Sequence, residues 1–195
     1  AGTPLISDPG YKLVREAVAE GLYVTSLPGA SSMLAALCLA ALPTDRFLFA
    51  GFLPSKQEAC RKELQSLAVV DSTLVFFESA NRLQKTLRIM QDTLGSREVS
   101  VARELTKLHE ECRRGTLVEL ADYYASTGEP KGEVVIVVSP PQTEKSSMDD
   151  IENKLRLLLK THSVKETASI VAEETGAPRK EIYTRALSIM KHEKE

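Results

Sequence analysis

The sequence is poor in the residues that bind metals or form disulfides. Its three cysteines, Cys38, Cys60 and Cys112, form no C-x-x-C pair, and its three histidines are dispersed along 195 residues. Such a sparse and odd-numbered set excludes a disulfide framework and a cysteine-rich zinc site. We therefore expect a protein of a reducing compartment that has no metal centre.

Long hydrophobic runs and a strong net charge are also missing. The longest apolar stretch, residues 33–42, is shorter than the roughly 18 residues of a membrane span, so it predicts a buried helix. No basic segment precedes an apolar one at the start of the chain, which favours a cytoplasmic location. The net charge of −2 means that any nucleic-acid-binding surface must be local, because such proteins are usually basic overall.

The first 140 residues alternate between strand-like and helix-like patterns. Runs rich in β-branched and aromatic residues predict strands at residues 22–27, 47–52, 72–77, 98–103 and 133–139. Apolar residues at helical spacing predict helices at residues 13–20, 30–41, 56–67, 81–94 and 117–124. This alternation is typical of an α/β domain whose sheet has helices on both faces, and a boundary between two lobes is expected near Pro43.

After Pro140 the sequence becomes polar and then wholly helical. Helices are predicted at residues 151–160, 164–174 and 178–190, with a capping box of Ser163 and Glu166 and a helix end at Gly176. Two helices joined by a short glycine-containing turn match the helix-turn-helix pattern. Basic and acidic residues nearly balance here, so a packing or dimerisation bundle and a nucleic-acid contact are equally good interpretations.

Five segments combine turn residues with polar side chains. They are AGTP at residues 1–4, PGASS at 28–32, FFESANRL at 76–83, ARELTKLHEE at 102–111 and PKGEV at 130–134. Taken singly, they are interpreted as a glycine-proline turn, a helix N-cap, a helix-start carboxylate and solvated charged loops. Taken together and in this order, they resemble the tetrapyrrole-methylase-like family of S-adenosylmethionine-dependent methyltransferases. The resemblance is strongest to those members that methylate the ribose 2′-oxygen of a cytidine in 16S ribosomal RNA.

The resemblance implies a class III, tetrapyrrole methylase-like α/β fold with two lobes and a C-terminal helix-turn-helix-like unit. Ala1 is not a methionine, and roughly a third of the enzyme precedes this segment in the family, so we expect a truncated first lobe and an inactive fragment. The expected divisions are a lobe remnant at 1–43, a second lobe at 44–140, a linker at 141–150 and a helical unit at 151–195. A homodimer is also implied, to which the apolar helix 30–41 could contribute.

The resemblance further implies that S-adenosyl-L-methionine is the cofactor. The residues that match its cofactor segments are Ala1, Gly2, Thr3, Ser31, Ser32, Glu78, Ser79, Thr106 and Gly132. Glu78 also ends a predicted strand, and ligands gather at the carboxyl ends of strands in open α/β sheets. Ala80 and Asn81 stand where the family commonly has Pro-His, so the details of that turn stay open.

Methyl transfer to a hydroxyl needs an aligned donor and a group that accepts the proton. Glu133 is the candidate acceptor, and His109 is an alternative. Lys131 is a candidate catalytic residue that lowers the pKa of the ribose hydroxyl or holds a phosphate. Arg103, also a candidate catalytic residue, and Lys107 are expected to position the RNA.

The expected partner is 16S ribosomal RNA or the small ribosomal subunit. Two other interpretations stay open at this point. One is a methyltransferase of the same fold that acts on a tetrapyrrole or another small molecule. The other is a non-catalytic fragment that binds RNA or a protein partner.

Overall fold

A computed structural model describes residues 2–141, 148–175 and 177–192 of the chain. The predicted cofactor residue Ala1, the predicted helix end at Gly176 and most of the predicted linker lie outside these described residues. The chain divides into two compact units, Ala1–Pro141 and Gln142–Glu195.

The first unit alternates helices and strands over most of its length. Its elements are α1 (Tyr11–Ala19), α2 (Ser32–Ala40), β1 (Phe47–Phe52), α3 (Gln57–Leu67), β2 (Thr73–Ser79), a 3-10 turn (Ala80–Arg82), α4 (Leu83–Leu94), β3 (Glu98–Arg103), β4 (Glu111–Thr116), α5 (Leu117–Thr127) and β5 (Glu133–Val138). Four of the five predicted strands and all the predicted helices of this region are therefore present, within a few residues of the predicted bounds.

The five strands form one mixed sheet in the order β1-β2-β5-β3-β4. β1 and β2 are parallel, whereas the other neighbours are antiparallel. Ser79 pairs with Glu133, and Arg103 pairs with Glu111, so the carboxyl ends of β2 and β3 meet the amino ends of β5 and β4. We call the sheet edge marked by these four residues the polar edge.

Helices cover both faces of the sheet, as predicted. α3, α4 and α5 pack on one face around fully buried side chains such as Phe76 and Ile136. α2 packs on the other face, where Ala36 lies against Val75 and Val137. Ala36, Leu37 and Ala40 of α2 are thus buried inside the unit, whereas Leu34 and Cys38 stay exposed.

Two sequence predictions for strands are wrong. Residues 22–27 form no strand, and the Tyr23 side chain is 91% exposed. The β-branched and aromatic pattern of residues 22–27 suits a strand, but a strand also needs a hydrogen-bonded neighbour. No strand of the described residues pairs with this segment. The opposite error concerns β4, whose sequence ECRRGT is too polar to suggest a strand and which forms by pairing with β3.

The second unit is helical and has its own core. Its elements are α6 (Met148–Leu158), α7 (Val164–Thr175) and α8 (Arg179–His192). Leu155, Ala168, Val171 and Ala186 are fully buried between the three helices. Among the described residues, no helix has the length and hydropathy to span a bilayer.

The start of α7 has the predicted capping box. Ser163 Oγ accepts from the Glu166 N–H at 3.3 Å, and the Glu166 carboxylate accepts from the Ser163 N–H at 3.0 Å. These bonds satisfy N–H groups that an α-helix leaves without partners in its first turn.

Candidate active site

Two of the predicted cofactor segments are joined by hydrogen bonds. The N–H and hydroxyl of Thr3 both donate to the Ala30 carbonyl, at 2.8 and 3.2 Å. Gly2 has a φ of +139°, and a Cβ at this position would lie 2.9 Å from the same carbonyl oxygen. This close approach of two turns requires glycine, and it places Thr3 beside Ser31.

Ser31 and Ser32 lie at the start of α2. Ser31 is the N-cap, because its Oγ accepts from the Leu34 N–H at 3.4 Å, and its hydroxyl proton remains available to donate. Ser32 is exposed in the first turn. The structural role expected for Ser31 is thus present and leaves the hydroxyl able to bind a ligand.

The loop that follows Thr3 reaches the carboxyl end of β1. Gly51 lies at an irregularity of this strand with a φ of +68°, and a Cβ there would lie 3.4 Å from Ser7 Oγ. β1 is next to β2 in the sheet, and β5 follows β2. Neighbouring strands lie about 4.8 Å apart, so the carboxyl end of β1 lies roughly 10 Å from the amino end of β5 along the same sheet edge.

Glu78 is a buried structural residue rather than an open ligand group. Its side chain accepts from Ser79 N–H at 2.8 Å and from Thr86 Oγ1 at 2.6 Å, and Arg82 Nε lies 3.4 Å away. Arg82 in turn donates to the Leu53 carbonyl at 3.0 Å. The Glu78 carboxylate therefore fixes the turn after β2 to the turn after β1, and Ser79 is left half-buried at the polar edge.

Two predicted side chains, Lys107 and Glu133, form one cluster with Glu104 on the polar edge. Lys107 Nζ lies 3.0 Å from a carboxylate oxygen of Glu104 and 3.0 Å from one of Glu133. The hydrogen bond from Lys107 lowers the pKa of Glu104, and the bonds to Glu104 and Glu133 raise the pKa of Lys107. Lys107 therefore stays protonated and acts as a cation. The Glu133 carboxylate stays 89% exposed, so it is accessible to a ligand.

Glu104 also covers the backbone of Gly132. A Cβ at Gly132, whose φ is +97°, would lie 2.2 Å from Glu104 Oε1. The same oxygen accepts from the Glu133 N–H at 3.1 Å. Glu104 and Thr106 themselves have positive φ angles of 48° and 62°, and such conformations of non-glycine residues concentrate at functional sites.

The remaining members of the segment 104–110 are at the surface. The Thr106 N–H donates to a carboxylate oxygen of Glu110 at 2.6 Å, so this amide is already occupied. His109 is exposed. Lys131 is exposed too, and no hydrogen bond of its side chain occurs among the described residues.

Arg103 is held in place by a network that the sequence analysis missed. Its Nε donates to Glu111 at 2.7 Å, and its Nη1 donates to the Lys131 carbonyl at 3.5 Å. Glu111 is also paired with Arg113, whose guanidinium lies 3.9 Å above the Tyr123 ring. Three N–H donors of Arg103 remain for a ligand. The recognisable signal was the alternation of Glu111 and Arg113, which places both on one face of a strand.

The polar edge thus carries both signs of charge, and its side chains can bind both cationic and anionic groups. Among the described residues, no group of three or more histidine, cysteine or acidic side chains could hold a metal ion.

Acid should weaken the first unit through two carboxylates of the polar edge. A hydrogen bond from Lys107 lowers the pKa of Glu104 beneath the ordinary value of 4.5. A hydrogen bond from Arg103 lowers the pKa of Glu111 in the same way. A lowered folded-state pKa stabilises the fold above the unfolded-state value, and this stabilisation is lost as the pH falls through the folded-state pKa. We expect the Tm to decrease once the pH is lowered beneath 4.5, as measured by thermal unfolding followed by circular dichroism.

Glu111→Gln tests this assignment. The variant should be less stable than the parent at neutral pH, and the difference should shrink in acid, because the parent carboxylate is then protonated too. Glu98→Gln, which changes an exposed residue of the neighbouring strand β3, is the control. A difference between the parent and Glu111→Gln that stays constant from neutral to acidic pH would contradict the assignment.

Comparisons with known proteins agree with this architecture. A family model described as Tetrapyrrole (Corrin/Porphyrin) Methylases matches residues 1–121, and one described as RsmI C-terminal HTH domain matches residues 146–190. Among solved structures, the methyltransferase CobJ is similar with a TM-score of 0.52 and 20% identity, covering 71% of this chain and 62% of CobJ. This likeness confirms the predicted class III α/β fold.

Two curated relatives carry the name Ribosomal RNA small subunit methyltransferase I. The protein of Mesorhizobium japonicum is 45% identical over 97% of this chain, and that of Erythrobacter litoralis is 51% identical over 90% of it. The chain spans 65% and 62% of the lengths of these two relatives. Since the first family model covers more than half of the sequence, the chain belongs to the tetrapyrrole (corrin/porphyrin) methylase family.

Proposed function

We propose that this protein uses S-adenosyl-L-methionine to methylate the ribose 2′-oxygen of a cytidine in small-subunit ribosomal RNA. The observation that carries the proposal is that relatives named as small-subunit rRNA methyltransferases match 90% or more of the chain, through both units. A tetrapyrrole methyltransferase is the alternative within the same fold. The match to a family model described as RsmI C-terminal HTH domain favours the rRNA substrate.

The residues of the polar edge suit this cofactor. S-adenosylmethionine carries a sulfonium cation, a carboxylate, an ammonium group and ribose hydroxyls, and it supplies the methyl group. The exposed carboxylate of Glu133 can accept hydrogen bonds from hydroxyl or ammonium groups. Thr3, Ser31 and the backbone around Gly132 are the other candidates to hold it, since they come from turns at or beside this sheet edge.

The charged groups then divide into two tasks. Glu133 is the candidate to accept the proton of the ribose hydroxyl, because its carboxylate is exposed and one of its oxygens is left free by Lys107. Arg103 and Lys107 are the candidates to hold phosphates of a single-stranded RNA, and Lys131 adds an exposed cation beside them. Glu111 and Arg113 position Arg103.

A homodimer and a cytoplasmic location complete the proposal. The dimer comes from the family resemblance, and the location from the sparse cysteines, which suit a reducing compartment. The apolar side chains that α1 and residues 22–27 expose, such as Leu13 and Leu27, are 71% and 82% accessible. These side chains could be covered by further protein, whether from the same chain or another copy. Sedimentation of the purified protein tests the dimer.

Ribose methylation of 16S rRNA tests the function. Mass spectrometry of RNA from cells with the gene intact or deleted should show the loss of one methylated cytidine in the deletion strain. Complementation by the Glu133→Gln gene should restore little methylation, whereas Glu129→Gln, an exposed carboxylate on the preceding loop, should restore it. An unchanged methylation map in the deletion strain would refute the proposal.

A further inference from the structure

The solvent side of α8 combines cations, an aromatic ring and a hydroxyl group. We call five of its exposed residues the α8 face, namely Arg179, Lys180, Tyr183, Thr184 and Leu187. Glu181 and Ser188 are also exposed, on the flank beside Thr184. Tyr183 is 41% exposed and Leu187 is 39% exposed. Glu181 projects roughly 160° away from Tyr183 around the helix, since successive residues are rotated by about 100°. Glu181 therefore lies on the far flank of the helix from Tyr183, about 60° beyond Thr184.

A concavity of about 600 Å³ at the start of α7 adjoins this face. Its lining includes His162, Lys165, Glu166 and Arg179, so Arg179 belongs to both features. The Glu166 carboxylate accepts from the hydroxyl of Ser163 at 2.7 Å and from its N–H at 3.0 Å, which ties it to the helix cap. Lys165 and Arg179 thus share the concavity with a carboxylate that is already hydrogen-bonded to the helix cap.

Other acidic side chains of the second unit are paired away from the α8 face. Glu174 of α7 lies 2.5 Å from Lys154 of α6, and Glu152 of α6 lies 3.8 Å from Arg185. Lys165, Arg179 and Lys180 lie in the first turns of α7 and α8, and the acidic Glu166 and Glu181 lie in the same turns. Arg179 projects roughly 160° away from Glu181 around α8.

We infer that the α8 face and the adjoining concavity bind single-stranded RNA. Arg179, Lys180 and Lys165 would hold phosphates, and the exposed ring of Tyr183 would stack on an unpaired base. Charge complementarity favours RNA over a protein partner, because two partly exposed apolar side chains surrounded by cations make a poor hydrophobic interface core. The choice of RNA as the nucleic acid rests on the proposed function.

Substitution of Tyr183 gives the first test. The probe is a fluorescein-labelled single-stranded RNA dodecamer of mixed sequence, and binding by the whole chain is followed by fluorescence anisotropy. Tyr183→Ala should weaken binding roughly 5- to 150-fold, the loss typical of one base–aromatic stack, whereas Tyr183→Phe should keep most of the affinity. Leu157→Ala, which truncates a 65% exposed side chain of α6, is the matched control and should leave binding unchanged.

The salt dependence of binding gives the second test. Arg179→Ala should reduce the slope of log K against log salt by about 0.7, the value for one phosphate contact with a single strand. Lys154→Ala removes the same charge from the α6–α7 side and should leave the slope unchanged. Circular dichroism of each variant verifies that the helices are intact.

Two outcomes would overturn the inference. The first is that Tyr183→Ala and Arg179→Ala bind RNA with the same affinity as the parent. The other is a change of oligomeric state in these variants with RNA binding preserved, which would make the α8 face a protein interface. S-adenosylmethionine binding, measured by calorimetry, should be the same in the parent and all variants. If the methylation map of the deletion strain is unchanged while the Tyr183 effect persists, the proposed function fails and this inference stands.

Discussion

Replacing Gly132 with alanine is expected to lower the free energy of unfolding of the first unit by about 2–4 kcal/mol. Gly132 has a φ of +97°, and the new Cβ would lie 2.2 Å from Glu104 Oε1. Glu104 would have to leave the position in which it binds Lys107 and the Glu133 N–H. Chemical denaturation followed by circular dichroism measures the loss.

Gly128→Ala separates the clash from the backbone cost. Gly128 also has a positive φ, of +84°, but nothing lies within 4 Å of its Cβ position. In this control only the backbone conformation is unfavourable, so Gly128→Ala should be more stable than Gly132→Ala. Equal losses in the two variants would show that Glu104 does not occupy the space above Gly132.

Replacing Glu78 with alanine is expected to destabilise the first unit by a similar amount, about 2–4 kcal/mol. The substitution leaves the Ser79 N–H and the Thr86 hydroxyl without their acceptor and removes the counter-charge of Arg82. The estimate lies below that for a fully buried ion pair because the Arg82 side chain is 31% exposed. Denaturant unfolding is again the measurement.

Asp71→Ala is the matched control for Glu78→Ala. Asp71 lies 3.9 Å from Arg46, and the two side chains are 82% and 74% exposed. Such exposed pairs contribute little, so the loss should stay below about 1 kcal/mol. If Glu78→Ala were as mild as this control, the carboxylate would not be the anchor of the two turns.

The sequence alone predicted most of the sheet because its strands carry local signals. The predicted strands 72–77 and 133–139 contain the apolar runs 74–77 and 134–138, which is the pattern of strands buried on both faces. β4 has no such pattern. Its polar residues are stabilised by pairing with β3, by the ring of Tyr123 and by the Leu39 carbonyl at the end of α2. These partners are distant along the chain, so no local pattern could reveal them.

Residues 22–27 show the converse case. Their composition predicts a strand, and the prediction is wrong because a strand forms only where another strand supplies hydrogen bonds. Among the described residues no such neighbour exists for this segment.

The sequence indicated which segments contribute to the candidate site, but not the contacts that their side chains make. The polar edge brings together Ser79, Arg103, Lys107, Gly132 and Glu133, as the order of motifs suggested. The sequence could not show that the carboxylate of Glu78 is occupied by a threonine eight residues away. Nor could it show that Arg103 is held by β4, a strand that was not predicted.

The central claim is that turns at the polar edge and the end of β1 bind S-adenosylmethionine. A crystal structure of the protein with S-adenosylhomocysteine bound tests this claim most directly. The account predicts that the ligand contacts the turns of Thr3 and Ser31 and the backbone around Gly132. A ligand seated at the opposite edge of the sheet, beside Arg46 and Asp71, would contradict it.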